Sequence, residues 1–145
     1  MNKNIPDVYN IIQELAWYFG NQGFNGECCE DLSLVEFMAL KKVYEHDNIT
    51  IQEIGKLLNC TKSGASKIID RIENKGYVLR EQSLVDGRIC CVTITAQGIE
   101  IITKIVEKYT AYVGEMLKDR DSQTIESVKK ALEILITSVR RQGFI

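Results

Sequence analysis

Five cysteines, one histidine and an Asp-Gly-Arg tripeptide are the side chains of this 145-residue sequence that first invite a chemical reading. Cys28 and Cys29 lie in an acidic run, from Glu27 to Asp31. A thiolate is both a nucleophile and a metal ligand, so the pair could sense oxidants or thiophilic metals. Neighbouring acids raise a thiol pKa, however, which favours the plainer alternative of two unreactive thiols in a loop. Adjacent cysteines also lack the spacing of a structural zinc site. Cys90 and Cys91 fall on a predicted strand and point to opposite faces, so they do not readily share one metal. Cys90 is expected in the core and Cys91 on the surface, while Cys60, in a small apolar position, is expected to pack. His46 has no second His at ligand spacing and is read as a satisfied or solvated side chain. An enzyme reading fails: one histidine cannot orient a Ser/His/Asp or Cys/His set, no phosphate loop is present, and no metal or cofactor is called for.

A second kind of chemistry is electrostatic. From Thr61 to Arg80 there are five Lys or Arg (62, 67, 71, 75, 80) against two acids (70, 73), a local balance of +3 in a chain whose net charge is −2. Residues 1 to 36 hold one Lys against six acids, a balance of −5. A mildly acidic protein can bind nucleic acid when its positive charge is gathered on one face. Lys62, Ser63, Ser66, Lys67, Asp70 and Arg71 share one side of a predicted helix whose other side is Ala65, Ile68, Ile69 and Ile72. Short hydroxyl side chains let a helix sit deep in a major groove, with Lys and Arg reaching phosphates at the flanks. For a lone helix, a solvated polar face would be the simpler reading.

The neighbouring elements change that balance. Thr50 followed by Glu53 is a capping box opening a first helix, with Ile51, Ile54, Leu57 and Leu58 at helical spacing. Asn59-Cys60 breaks it, Thr61 caps the second helix, and Gly76 supplies a left-handed end. The period then changes from helical to alternating: Tyr77 to Gln82 reads as one strand, Ile89 to Thr95 as the other, with 83–88 as the turn. Helix, turn, helix and two-stranded ribbon form a winged helix-turn-helix. At the ribbon tip, Arg88 can enter a minor groove, and Asp86 could hold its guanidinium by a bidentate pair. The alternative there is a hairpin turn with a surface ion pair of little worth.

The ordered set of 32–40 (LSLVEFMAL), 71–78 (RIENKGYV), Asp86-Gly87-Arg88 and Ile94-Thr95 with Gly98 resembles the MarR family of bacterial transcription regulators. The resemblance runs over nearly the whole chain. It implies a mainly α fold with a small antiparallel β wing (α+β), the winged core spanning 33–98 and dimerisation helices 1–32 and 99–145 within a single domain, 1–145. It further implies a homodimer on a pseudopalindromic duplex, with repression the commoner mode and release by a small-molecule effector. Under it, Ser63, Gly64, Ser66 and Lys67 are expected nearest the bases, Lys62, Arg71 and Lys75 on phosphates, Thr61 at the cap, and Asp86 with Arg88 at the minor groove. Two departures stand out: Gly64 in the first turn of the reading helix, where a hydroxyl residue is common, and the paired cysteines of the wing strand. The zinc-sensing branch of the family is not supported by a lone His46. Nor is the peroxide-sensing branch, since no cysteine falls in the first helix.

The remaining helices follow from periodicity. Pro6 marks the first, with Val8, Ile11, Ile12, Leu15, Ala16 and Phe19 apolar; Ser33 caps a second through about Glu45. After the wing, Thr95–Leu117 and a last helix from about Ser122 carry long apolar stripes, more than a small winged unit could cover alone. Trp17, Tyr18, Phe24, Tyr109 and Tyr112 could line an effector pocket between these helices and the core, or simply fill the core or dimer interface. The absence of a signal-like or membrane-spanning run leads us to expect a cytoplasmic protein with no membrane partner. Within this frame the alternatives are a thiol or metal sensor on the same scaffold, and a winged-helix module that binds protein. If Cys28 and Cys29 are sensors, the double change Cys28→Ser/Cys29→Ser abolishes any release of DNA by oxidants or thiophilic metals; a retained response moves sensing elsewhere.

Overall fold

Why the middle of the chain folds as it does is visible in its helix ends. The computed structural model describes residues 1–20, 30–82 and 84–142. In chain order it contains α1 (Ile5–Phe19), α2 (Leu34–Glu45), β1 (Ile49–Thr50), α3 (Ile51–Leu57), α4 (Lys62–Asn74), β2 (Val78–Gln82), β3 (Cys90–Ile94), α5 (Ala96–Met116) and α6 (Ser122–Gln142). Ser33 caps α2 through a full capping box with Glu36, and Thr50 caps α3 through one with Glu53. Thr61 and Thr95 each accept the amide three residues ahead, Gly64 and Gly98. At the other ends, α3 and α4 close alike: Asn59 (φ +54) and Gly76 (φ +87) turn left-handed, and the amides of Cys60 and Tyr77 return to the carbonyls of Gly55 and Ile72. That closure satisfies carbonyls that would otherwise be orphaned.

The three strands form one antiparallel sheet in the order β1-β3-β2. Ile49 pairs with Val92, and Val78 pairs with Ile94. The two-residue β1 is absent from the expected ribbon; so short a strand carries no alternation to detect, and it exists because β3 offers it a partner. The expected strands each begin one residue later, at Val78 and Cys90, and the second ends at Ile94. The reading helix stops at Asn74, one residue short of Lys75.

The core is the apolar interior of α2, α3, α4, the sheet and the first half of α5. Leu40, Ile54, Ile69, Ile72, Val78 and Val92 are fully buried within it. In α4 the expected face, Ala65, Ile68, Ile69 and Ile72, is the buried one. Leu57 departs from the expected stripe of α3: it is 44% exposed, because the helix ends there and Leu58 takes the contact with the core. Val92 is buried, with Cys90 and Ile94 packed beside it, so the alternation of β3 is as expected. Cys60 also packs against the core, half-buried. By contrast, α1 and α6 bury no residue in the single chain, and Ile11, Trp17, Leu132 and Ile134 stand out into solvent.

One glycine is required by close approach. Thr95 joins three pieces: its amide donates to Tyr77 O, its hydroxyl donates to Gly76 O at 2.7 Å, and it caps α5. This draws the first turn of α5 so close to the end of α4 that a Cβ on Gly98 would lie 2.2 Å from Tyr77 O and 2.6 Å from Ile94 Cγ1. Backbone cannot yield as a flexible side chain can. Gly98→Ala should lower stability by about 2 kcal/mol or more, as overpacking of a tight site does, read as a lower melting midpoint. An unchanged midpoint would mean that the joint is looser than described.

Candidate nucleic-acid interface

The outward side of α4 is built by the same periodicity that buries its isoleucines. Thr61, Lys62, Ser63, Lys67 and Arg71 are exposed, while Gly64 and Ser66 are half-buried. Thr61 Oγ1 accepts from the Gly64 amide at 2.9 Å and lies 3.3 Å from Ser63 Oγ. A Cβ on Gly64 would sit 3.1 Å from that capping hydroxyl, so the missing side chain leaves the cap room. The helix thus presents small polar groups at its start and cations along its flank.

The wing stands beside it. Arg88 is 91% exposed at the tip; its backbone amide donates to Asp86 Oδ1 at 3.0 Å, and its Nε lies 3.3 Å from the same oxygen. The pair is therefore single-pronged rather than bidentate: Asp86 closes the turn with one oxygen, and the engaged guanidinium nitrogen is Nε. Between wing and helix lies a concavity of about 270 Å³, lined by Thr50, Gln52, Lys62, Ser66, Arg80 and Arg88 among others.

Lys75 does not join the outward face. Its Nζ donates to Glu36 Oε1 at 2.9 Å and to the backbone oxygen of Asp31. Glu36 is 5% exposed at the start of α2, where its Oε1 also accepts from the Ser33 amide at 3.0 Å; Arg71 Nε is 3.6 Å from Oε2. A buried carboxylate needs such partners, and Lys75 is one of them. Burial alone would push the Glu36 pKa up; the Ser33 amide, the Lys75 hydrogen bond and charge, and the Arg71 charge outweigh it and hold it below the ordinary 4.5. Nearby, Tyr77 donates its hydroxyl to Asp31 at 2.8 Å, and burial together with that carboxylate pushes its pKa up to about 12. Glu30 completes the patch, facing Lys108 at 3.7 Å and Lys104 at 3.8 Å on α5. Sequence reasoning missed Glu36, Asp31 and Tyr77. The signal for Glu36 was its place three residues after Ser33, the same spacing as Thr50 and Glu53.

The four described members of the expected aromatic set do not line one pocket. Tyr109 packs against the core and meets Tyr112 edge-on, ring centres 5.9 Å apart. Tyr109, but not Tyr112, lines a cavity of about 690 Å³ with Phe37, Lys41, Ile105, Arg120 and Ile125. Trp17 and Tyr18 lie apart on α1, 64% and 50% exposed, on a helix that fully buries no residue in the single chain. Phe24, Cys28 and Cys29 fall outside the described residues. Cys91 is half-buried rather than fully on the surface, since β1 pairs beside it. His46 Nδ1 lies 2.9 Å from Lys42 O, a contact at the end of α2. Among the described residues no group of three His, Cys, Asp or Glu is placed to hold a metal, and no helix is long and apolar enough to cross a membrane.

Comparison with known proteins places this geometry in context. Residues 32–90 match the model of the MarR family. The HTH-type transcriptional regulator MhqR of Bacillus subtilis is 24% identical over 102 residues, covering 70% of each chain. The organic hydroperoxide resistance transcriptional regulator of the same organism is 21% identical over 113 residues, covering 78% of this chain and 76% of its own. Among solved structures, a MarR family protein from Bacillus stearothermophilus superposes with a TM-score of 0.83 at 19% identity, over 97% of this chain and 99% of the other. Streptococcus pneumoniae FabT in complex with DNA superposes at 0.69, also at 19% identity, over 97% and 96%.

The buried ion pair sets a pH dependence. Because the folded pKa of Glu36 is depressed, its contribution to stability is present above the unfolded carboxylate value and is lost as pH falls below about 4.5 toward the folded pKa. Urea unfolding midpoints should decline through that acidic window in the wild type, and Glu36→Gln should start less stable and decline less. Parallel pH profiles for the two would show that folding does not lower the Glu36 pKa.

Proposed function

We propose that the chain is a DNA-binding transcriptional regulator of the MarR family, the family whose model residues 32–90 match, and that it acts as a homodimer on a pseudopalindromic duplex and represses until an effector releases it. The carrying observation is the outward face of α4 beside the wing: small polar groups at the helix start, cations on its flank, and Arg88 projecting beyond. Ser63, Gly64 and Lys67 would lie nearest the bases, with Ser66 behind them; Thr61 caps the helix. Lys62 and Arg71 would reach phosphates, and Arg88, steadied by Asp86, the adjacent minor groove. Lys75 has a different part in this reading: it fixes the helix end through Glu36 and leaves the phosphates to its neighbours.

Dimerisation is supported by apolar surface. Ile12 and Leu15 of α1, Val113 of α5 and Val128, Leu132 and Ile136 of α6 border a wide apolar hollow of about 660 Å³. A second copy would cover it, with residues 1–32 and 99–145 as dimerisation segments around the winged core 33–98. The cavity lined by Phe37 and Tyr109 offers an effector site, because a ligand that displaced α2 would also displace Glu36 and, through Lys75, the end of α4. A DNA regulator of this kind works in the cytoplasm.

Fluorescence anisotropy of a labelled duplex against a scrambled one, over a range of salt, tests the reading. The protein should bind the first tightly, with an affinity that falls steeply as salt rises through counterion release. Arg88→Ala should weaken binding several-fold while size-exclusion still reports a dimer. Salt-insensitive or equal weak binding to every duplex would favour a protein-interaction module instead, and unchanged affinity in Arg88→Ala would remove the wing from the mechanism.

A further inference from the structure

Arg80 adds to the positive charge of the 61–80 stretch, yet its guanidinium is turned to another task. It projects from β2 toward α4 and is only 25% exposed. Its Nη2 donates to Ser66 O at 2.6 Å, lies 3.2 Å from Ser66 Oγ, and pairs with Asp70 Oδ1. Its Nε is 3.9 Å from Glu73 Oε1, and its backbone amide donates to Glu73 Oε2 at 3.0 Å. Positions 66, 70 and 73 follow one another along a single face of the helix. One residue of the wing strand therefore grips α4 along two turns. Its charge is answered by two acids, so it adds little net attraction for a phosphate.

We infer that Arg80 is a positioning residue that fixes the angle between the reading helix and the wing, and through that angle the protein's ability to tell one DNA sequence from another. The inference rests on the DNA-reading face proposed above. A helix in a major groove and an arginine in the adjacent minor groove report on the same sequence only if both arrive in register. Phosphate contacts tolerate a small misplacement, since long side chains follow the backbone; hydrogen bonds to base edges do not. Loss of Arg80 should consequently remove discrimination while sparing general affinity.

The test uses the full chain, a labelled duplex that it enriches from a random-sequence pool, and a scrambled duplex of equal composition. With Arg80→Ala, affinity for the enriched duplex should fall at least tenfold and that for the scrambled one less than twofold. The slope of log affinity against log salt should be unchanged. A parallel loss on both duplexes with a slope smaller by about one would mark a direct phosphate contact and overturn the inference. So would unaltered discrimination. Asp70→Asn leaves the grip on Ser66 O and should keep most of the preference. If instead Arg80→Ala/Asp70→Asn recovers the preference lost in Arg80→Ala, Arg80 serves only to neutralise Asp70, and the inference fails. Should Arg80→Ala not fold, Arg80→Met carries the test: it keeps an apolar stem of similar length but removes the Nη2 donor that meets both Ser66 O and Asp70, so the preference should drop, and its retention would overturn the assignment. Wild-type protein that enriches no sequence at all would show a different failure, that of the DNA reading itself.

Discussion

A buried carboxylate is the constraint on which this structure turns. Glu36 begins α2, closes that helix's capping box with Ser33, and meets two cations from the last turn of α4 and the residue beyond it. An isolated charge in such a place would be costly by several kcal/mol, so each partner is held by the need of the others. The result is a fixed distance between the start of one helix and the end of another. α4 could otherwise slide or roll on its smooth stripe of isoleucines, since apolar contact is not directional. The polar anchors at its C-terminal end, together with Arg80 along its side, set the one arrangement in which its outward face is presented.

Around this anchor the molecule divides into two regimes. The winged part is self-sufficient: Leu40, Ile69, Val78 and Val92 lose their water to one another, and every helix from α2 to α5 starts on a side-chain cap. The outer helices are different. Both α1 and α6 are amphipathic yet fully bury no residue against the chain itself, so much of their apolar stripes stays open to solvent. The Glu30 and Asp31 contacts, reaching α5 and Tyr77, fasten the residues just before α2 to the winged unit.

Much of this was legible in the sequence because the signals were local. Thr50 with Glu53, Thr61, and Gly76 are caps written in residue type, and Ala65, Ile68, Ile69 and Ile72 give the buried face of α4 by spacing alone. Cys90, Val92 and Ile94 gave the inner face of β3 by alternation. What escaped reading was non-local. Lys75 looks like any flanking cation until Glu36, thirty-nine positions earlier, is found beneath it. Arg80 is counted as a free positive charge until Asp70 and Glu73 are seen to face it. β1 is too short to have a period, and the spread of Trp17, Tyr18, Tyr109 and Tyr112 over different helices depends on how those helices cross. Local propensity names the elements; pairing between distant side chains decides which of their charges remain available.

The joint at Thr95 has a mechanical consequence. Because Gly98 rests against the Tyr77 carbonyl with no space for a methyl group, the first turn of α5 cannot pivot independently of the winged unit. α5 is then a rigid lever: its 21 residues extend about 30 Å at 1.5 Å per residue. A tilt of about 5° at the fixed end moves the far end by roughly 3 Å, a shift close to the per-base-pair rise of a duplex. Run in reverse, a small repacking at the far end of this lever would be returned at the winged unit as a shift of similar size.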